Sequence, residues 1–281
     1  MKFSEFFERA YVINLPKRVD RRHEIAKELQ KAGMPLQVGK VELFSAIQPK
    51  EAFPFKSIGA KGCFLSHLEI LKEAQAQGLR NVLIVEDDLE FAPEFKQHEA
   101  YLLEQLMSKD WSFVQFGYCG HGDEPNYGKS LPILRSFSGE KIGSHCYAVN
   151  GKSIQMLIDF LEALLVGPVG DRLYGPMSLD GALNVFKWQH PEINRLIAIP
   201  SVANQRSSAS DVSPSWFDQV PVMNQAVALA RKVVSPQTKQ RARMLCTMQG
   251  WQTLKQKIKR KVAAPLRARH QLFPETLWDK G

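Results

Sequence analysis

Apolar and polar positions along this chain alternate between two periods. Short, nearly unbroken apolar runs recur at YVINL (11–15), VELFSAI (41–47), NVLIVE (81–86), WSFVQFG (111–117), PILRSF (132–137), HCYAVN (145–150) and RLIAIPS (195–201). Runs of this length, rich in Val, Ile, Phe and Tyr, predict strands, and a strand apolar at successive positions is covered on both faces. Between them the spacing lengthens to that of a helix. Ile25 and Leu29 share one face of a predicted helix over 21–32, with Asp20 as its cap and Gly33 as its stop. Cys63, His67, Ile70, Leu71 and Ala74 form the stripe of a helix over 59–78, ended by Gly78. Residues 151–165 and 179–187 carry two more helical patterns. Strands alternating with helices predict an α/β fold whose sheet is mostly parallel, at least at its start. No internal repeat is visible.

The third strand raises the first chemical question. RNVLIVEDDLEF (80–91) runs an apolar strand into Glu86, Asp87 and Asp88. Three adjacent carboxylates repel one another and are seldom buried unpaired. In an α/β sheet the carboxyl ends of strands are where ligands bind, which gives the acids a place at the edge of the core. Side chains alternate along an extended segment, so Glu86 and Asp88 are expected on one side and Asp87 on the other. One carboxylate can then ligate Mg²⁺ or Mn²⁺ while another holds a ribose or orients a water. The competing assignment is a solvated acidic turn.

A second cluster bears on that choice. NLPKRVDRR (14–22) follows the first strand and carries Asn14, Lys17, Arg18, Arg21 and Arg22 beside a helix start. Nitrogen donors there suit phosphate oxygens, and Asn14 suits a base or ribose. A basic loop pairing with nearby acids is the alternative. Acids after one strand and cations after another together describe a nucleotide-diphosphate site with a metal.

These segments resemble glycosyltransferase family 25, the lipopolysaccharide-biosynthesis glycosyltransferases. The resemblance rests on VINLPKRVDRR, on GAKGCFLSHLEILKEAQAQG (59–78), on VLIVEDD, and on GSHCYAVNGKSIQMLI (143–158), four blocks in the family's order over residues 10–160. PMSLDGALN (176–184) and QRSSASDV (205–212) are similar to later family segments, more loosely. The resemblance implies a GT-A-like nucleotide-binding fold and transfer of a sugar, often galactose, from a UDP-sugar with inversion. It implies donor contacts from Asn14, Arg18, Arg21, Arg22, Ser66, His67, Glu86 and Asp87. The acid triplet here offers Glu-x-Asp rather than Asp-x-Asp, so Glu86 and Asp88 are the expected metal ligands.

Inversion in one displacement needs a base for the acceptor hydroxyl and a stabiliser for the leaving diphosphate. Asp180, beside the small Gly181, is the first candidate base, and a helix N-terminal acid favourable to the dipole is its alternative. His145 is the second candidate, against a hydrogen-bonded core histidine. His67 lies on an apolar stripe and also suits a packed histidine. Asp211 is expected to touch donor or acceptor, or to cap a loop. The Gly-rich segment 117–129 has the composition of a closing loop or of a plain surface loop.

Composition sets the boundaries. At 281 residues, 44% hydrophobic, the chain has room for one large domain and an appendage. The net charge of +8 is uneven, because residues 231–270 carry twelve Lys and Arg and no acid, leaving 25 basic against 29 acidic residues elsewhere. The predicted division is a catalytic domain over 1–215 and a basic helical extension over 216–281. Trp251, Leu254, Ile258 and Val262 recur at helical spacing among lysines. That pattern suits an anionic membrane surface, or a helix packed on the domain. No apolar run reaches a membrane span, and the opening residues lack a signal-peptide layout, so a cytoplasmic, peripheral enzyme is expected. The four cysteines show no paired or metal-type spacing and are expected as reduced thiols, with Cys63 and Cys146 in the core. The expected partners are a UDP-sugar and a glycan acceptor; no nucleic-acid motif is present. A contrasting assignment is a catalytically degenerate transferase that binds lipid or nucleic acid through the tail.

Overall fold

The structure is a computed structural model and describes residues 1–119 and 131–206. Its elements run in the order α1 (Phe3–Phe6), β1 (Arg9–Asn14), α2 (Val19–Lys31), β2 (Val41–Ser45), α3 (Ile58–Ala76), β3 (Asn81–Glu86), β4 (Leu89–Phe91), α4 (Phe95–Ser108), β5 (Phe113–Cys119), β6 (Ile133–Ser136), β7 (Ile142–Asn150), α5 (Gly151–Val166), α6 (Leu179–Gln189), β8 (Arg195–Ile199) and β9 (Ala203–Gln205).

The main sheet has the order β2-β1-β3-β7-β5-β8-β6. Strands β2, β1 and β3 are mutually parallel, β7 is antiparallel to both β3 and β5, β8 is parallel to β5, and β6 is antiparallel to β8. Five of these seven strands therefore share one direction, and the fold is α/β with a mostly parallel central sheet. β4 pairs with β9, and β9 also meets β5 at Gly117–Ala203.

Both faces of the sheet are covered, which is why the strands read as continuous apolar runs. Along β3, Leu83 and Val85 join a core with α1, α2 and α4 through Phe3, Ile25, Leu29, Phe95 and Leu103. Val82 and Ile84 face the opposite core, built on α3, α5 and α6 through Phe64, Leu71, Leu157 and Phe186. The predicted helices over 21–32 and 59–78 begin slightly earlier than their apolar stripes. Asp20 lies inside the first turn of α2, while the Ser57 side chain caps α3 by accepting from the Ala60 amide.

One long side chain ties the distal part of the sheet together. Arg195 is fully buried on β8. Its guanidinium donates to Gln115 Oε1 at 2.8 Å from Nε, to Gln115 again from Nη2, and to Asn184 Oδ1 at 2.9 Å and the Gly139 carbonyl at 3.1 Å from Nη1. It also lies against the Phe113 and Phe137 rings. Burial alone pushes its pKa down to about 10. Asn184 in turn holds the Lys141 amide and carbonyl at 3.1 and 3.0 Å, which fixes the entry to β7. Arg195→Ala is expected to lower stability by about 3 kcal/mol or more, because a cavity opens and buried acceptors lose their donors. Urea unfolding would measure it; a loss under about 1 kcal/mol would show that the network adds little.

Candidate functional site

β1 has β2 on one side and β3 on the other, so the chain turns in opposite directions from its end. α2 leaves β1 onto one face, and α3 precedes β3 on the other. A crevice at such a switch point is the natural ligand site of an α/β sheet. Asn14 closes β1 and Glu86 closes β3, so the two candidate loops meet there.

They meet by pairing. Asp87 is buried; its carboxylate accepts from Asn14 Nδ2 and from Arg21 Nη1, each at 2.7 Å. Arg21 also lies 3.7 Å from Asp88 Oδ2. Arg22 donates to Asn14 Oδ1 and the Pro16 carbonyl, and Arg18 pairs with Asp20 at 2.8 Å. Burial raises the Asp87 pKa despite the opposing Arg21 and Asn14. The basic loop thus acts first as the counter-charge of the acids: Arg21 and Asn14 hold Asp87. Arg18 and Arg22 stay nearer the surface.

The extended alternation expected across the three acids stops at Glu86, because Asp87 and Asp88 form a turn between β3 and β4. Glu86 continues the row of Val82 and Ile84 toward the α3 face, away from Asp87. Its Oε1 accepts from Ser144 Oγ at 2.9 Å, its Oε2 from Gln205 Nε2 at 3.4 Å, and His67 Nε2 stands 3.7 Å from Oε1. At that length the histidine contact is electrostatic rather than a hydrogen bond. Burial pushes the Glu86 carboxyl up, but the His67 and His145 imidazoles and the Ser144 hydroxyl outweigh it and hold it at about 2.

Asp180 lies in the first turn of α6, behind the Ser178 cap. Its carboxyl moves the other way: burial first and the Glu86 charge second push it up to about 6. The Gly143 amide, the Ser144 hydroxyl and the His67 imidazole pull against that rise without reversing it. Two carboxyls with separate environments therefore share one side of the crevice, and such pairs divide acid and base roles.

The antiparallel register of β3 with β7 explains the company they keep. Val85 faces Cys146 across the ladder, so Ser144 and His145 fall beside Glu86. Ser144 and Tyr147 are site residues that the sequence reading missed, since strand direction is not visible in a hydrophobic run. Tyr147 accepts from or donates to His67 Nδ1 at 3.0 Å and stacks on its ring. Cys63 is the other surprise. It was expected in the core, yet it is only partly buried, and its sulfur, a His67 ring nitrogen and a Glu86 oxygen lie within 4.8 Å of one another.

Other expected residues have different placements. Ser66 is buried with its hydroxyl committed to the Gly62 carbonyl at 2.6 Å and the Ile47 amide at 2.8 Å. His145 is buried and contacts the Ala203 carbonyl at 3.1 Å through Nε2; Gly117 makes room for its ring, since a Cβ there would lie 2.2 Å from that nitrogen. Asp211, the basic stretch 231–270 and nearly all of the 117–129 loop lie outside the described residues.

The model of glycosyltransferase family 25 (LPS biosynthesis protein) matches residues 7–166, more than half of the chain and every element that builds this crevice up to α5. The chain belongs to glycosyltransferase family 25. Among similar family proteins is the lacto-N-neotetraose biosynthesis glycosyltransferase LgtB of Neisseria meningitidis serogroup B, 27% identical over 178 residues, 55% of this chain and 62% of that one. Procollagen galactosyltransferase 1 of Danio rerio is 30% identical over 129 residues, 40% of this chain and 21% of its own. The matched region thus spans less than two thirds of either relative. A glycosyltransferase involved in glycosylating the major capsid of PBCV-1 aligns over 78% of this chain and 98% of its own, at 10% identity and a TM-score of 0.45. Family 25 blocks lie on the crevice: its Arg-rich turn, its Cys-to-His helix, its acid triplet and its β7 segment supply Arg21, His67, Glu86 and Ser144. Among the described residues, no helix is long and apolar enough to cross a membrane.

Proposed function

We propose that this family 25 chain transfers a hexose, galactose or a near relative, from a UDP-sugar to a glycan acceptor such as lipopolysaccharide, with inversion at the anomeric carbon. The observation that carries the reading is the meeting of Glu86 and Asp180 on the α3 side of β3: Glu86 accepts from Ser144 Oγ at 2.9 Å and is held low, while burial and the Glu86 charge push the Asp180 carboxyl up to about 6. A carboxyl poised near 6 is suited to accept the proton of an acceptor hydroxyl, and one held ionised is suited to electrostatic or metal work.

In this reading Asp180 is the general base, and the Gly143 amide orients it. Glu86 and Asp88 would hold a divalent cation, Mn²⁺ or Mg²⁺. Their fit rests on the donor set: carboxylate oxygens suit such ions, and three carboxylates act together on Cys63. When bound, the cation supplies Lewis-acid stabilisation of the departing diphosphate. Arg18 and Arg22 rim the nucleotide side, while Asn14 and Arg21 keep the Asp87–Asp88 turn in shape. Residues 1–215 form the transferase domain, with a GT-A-like nucleotide-binding fold. The basic stretch 231–270 suits an anionic leaflet carrying a glycolipid acceptor, at about 1 kcal/mol per basic residue near the surface; this would make the enzyme peripheral on a cytoplasmic face.

The test is to supply the full chain with UDP-hexoses, Mn²⁺ and glycan acceptors, lipopolysaccharide among them, and to follow UDP release and product configuration by NMR. The expected product has the anomeric configuration opposite to the donor. UDP release from no donor would overturn the transferase reading, and a retained configuration would remove Asp180 as base.

A further inference from the structure

Cys63 and His67 stand four residues apart on α3, one helical turn, on the face turned to the end of β3. Glu86 completes a group whose three ligand atoms lie within 4.8 Å of one another. Tetrahedral zinc with bonds of about 2.0–2.3 Å separates its ligand atoms by roughly 3.3–3.8 Å. The 3.7 Å between His67 Nε2 and Glu86 Oε1 already fits that edge.

The histidine is prepared for the part. His67 is fully buried, and its Nε2 has no hydrogen-bond partner among the described residues. Its Nδ1 is held by the Tyr147 hydroxyl at 3.0 Å. Metal-binding imidazoles commonly anchor the second nitrogen on an oxygen in this way, which fixes both ring and tautomer. The Tyr147 hydroxyl can accept from a protonated Nδ1, and in that tautomer the Nε2 lone pair is turned toward Glu86 and open to a cation. The surroundings are also negative: Glu86, Asp180 and Asp88 all act on the thiol. Glu86 remains 21% exposed and Cys63 partly so, which leaves a route in.

We propose that Cys63, His67 and Glu86 form a binding site for a thiophilic divalent cation, zinc in the first place. One proton leaves the Cys63 thiol to solvent for each ion bound, so the thiolate, the imidazole and the carboxylate are the three protein ligands and water takes the fourth position. A thiol and an imidazole separate this site from the oxygen-only preference of Mg²⁺. The site stands on its own geometry. Its consequence for sugar transfer rests on the transferase reading: zinc would claim Glu86 and so inhibit donor use.

The test uses the full chain, stripped with a chelator and titrated with Co²⁺ alone, then with Zn²⁺ in competition. The expected result is a thiolate-to-cobalt charge-transfer band with strong visible bands of four-coordinate cobalt, saturating at one ion and displaced by zinc. Cys63→Ser is expected to remove the charge-transfer band and weaken zinc binding at least tenfold, while Cys146→Ser keeps both. No charge-transfer band in the parent protein, or a band that survives Cys63→Ser, overturns the proposal. Should Cys63→Ser fail to fold, Glu86→Gln decides it, since that variant keeps the thiol: cobalt affinity must fall at least tenfold, and unchanged affinity overturns the site. UDP binding with Mn²⁺ is measured on the same stripped protein. Its absence beside an intact cobalt spectrum sinks the transferase reading alone, and the converse result sinks the zinc site alone.

Discussion

Asp180→Asn is expected to lower the rate of sugar transfer by about 10²–10⁴-fold, the usual range for a positioned general base, while UDP binding stays unchanged. The substitution keeps the shape of the side chain and removes only its basicity. The parent enzyme is expected to gain activity as pH rises through about 6, as Asp180 loses its proton, and then to level off. Burial raises this value first and the Glu86 charge second, while the Gly143 amide, Ser144 and His67 lower it. Asp180→Asn should flatten that limb of the profile. Stability moves in the opposite sense. The folded pKa lies above the ordinary carboxylate value, so the native state binds the proton more tightly than the unfolded chain. Stability therefore falls as pH rises from about 4 to about 6, by at most about 3 kcal/mol and less where solvent screens the group. At pH 7 the asparagine variant should melt no lower than the parent. A variant that turns over normally, or one that loses UDP binding together with activity, removes Asp180 from the base role.

Much of the frame behind these residues was legible in the chain. The predicted strand over 81–86 and helix over 59–78 are β3 and α3 within a residue or two, because long apolar runs and stripes survive any tertiary context. Helix α4 leaves no clear stripe in the sequence. Its buried face includes Glu99, which accepts from the Phe3 amide at 2.7 Å, so a charged residue interrupts the apolar stripe. β4 and β9 are three residues each and carry no period long enough to see.

The site was legible in its parts and not in its assembly. The acid triplet and the Arg-rich turn stood out as chemistry, yet only the parallel pairing of β1 with β3 shows Asn14 and Arg21 spent on Asp87. Ser144 could not be found from sequence. Its contact with Glu86 depends on β7 running antiparallel, and a strand's direction leaves no mark in its residues. In the sequence Asp180 stands out for the space that Gly181 leaves beside it. What gives it chemical interest is the crowding: burial and the Glu86 charge.

Asp88→Asn is expected to cut Mn²⁺-dependent UDP affinity by at least about 100-fold, exceeding the 10–100-fold cost of losing a group that merely supports a ligand. Asp88 sits in the turn after β3, with Arg21 3.7 Å away as its counter-charge. Arg21 keeps its closer partner, Asp87 at 2.7 Å, in the variant, so the turn retains its anchor and the fold is expected to hold. Removing the Asp88 charge then weakens cation binding and gives up only the longer of the two buried Arg21 contacts; losing the shorter one to Asp87 as well would strand the guanidinium, at a cost of about 3–5 kcal/mol of stability. Titration calorimetry of the metal-stripped parent and variant with UDP, with and without Mn²⁺, gives the answer. Binding that needs Mn²⁺ in the parent and fails in Asp88→Asn places the acid triplet in the donor site. Equal UDP affinity in both proteins removes Asp88 from the metal, and the carboxylate left to test on the crevice side is Glu86, whose replacement by Gln keeps the Ser144 and Gln205 contacts geometrically available.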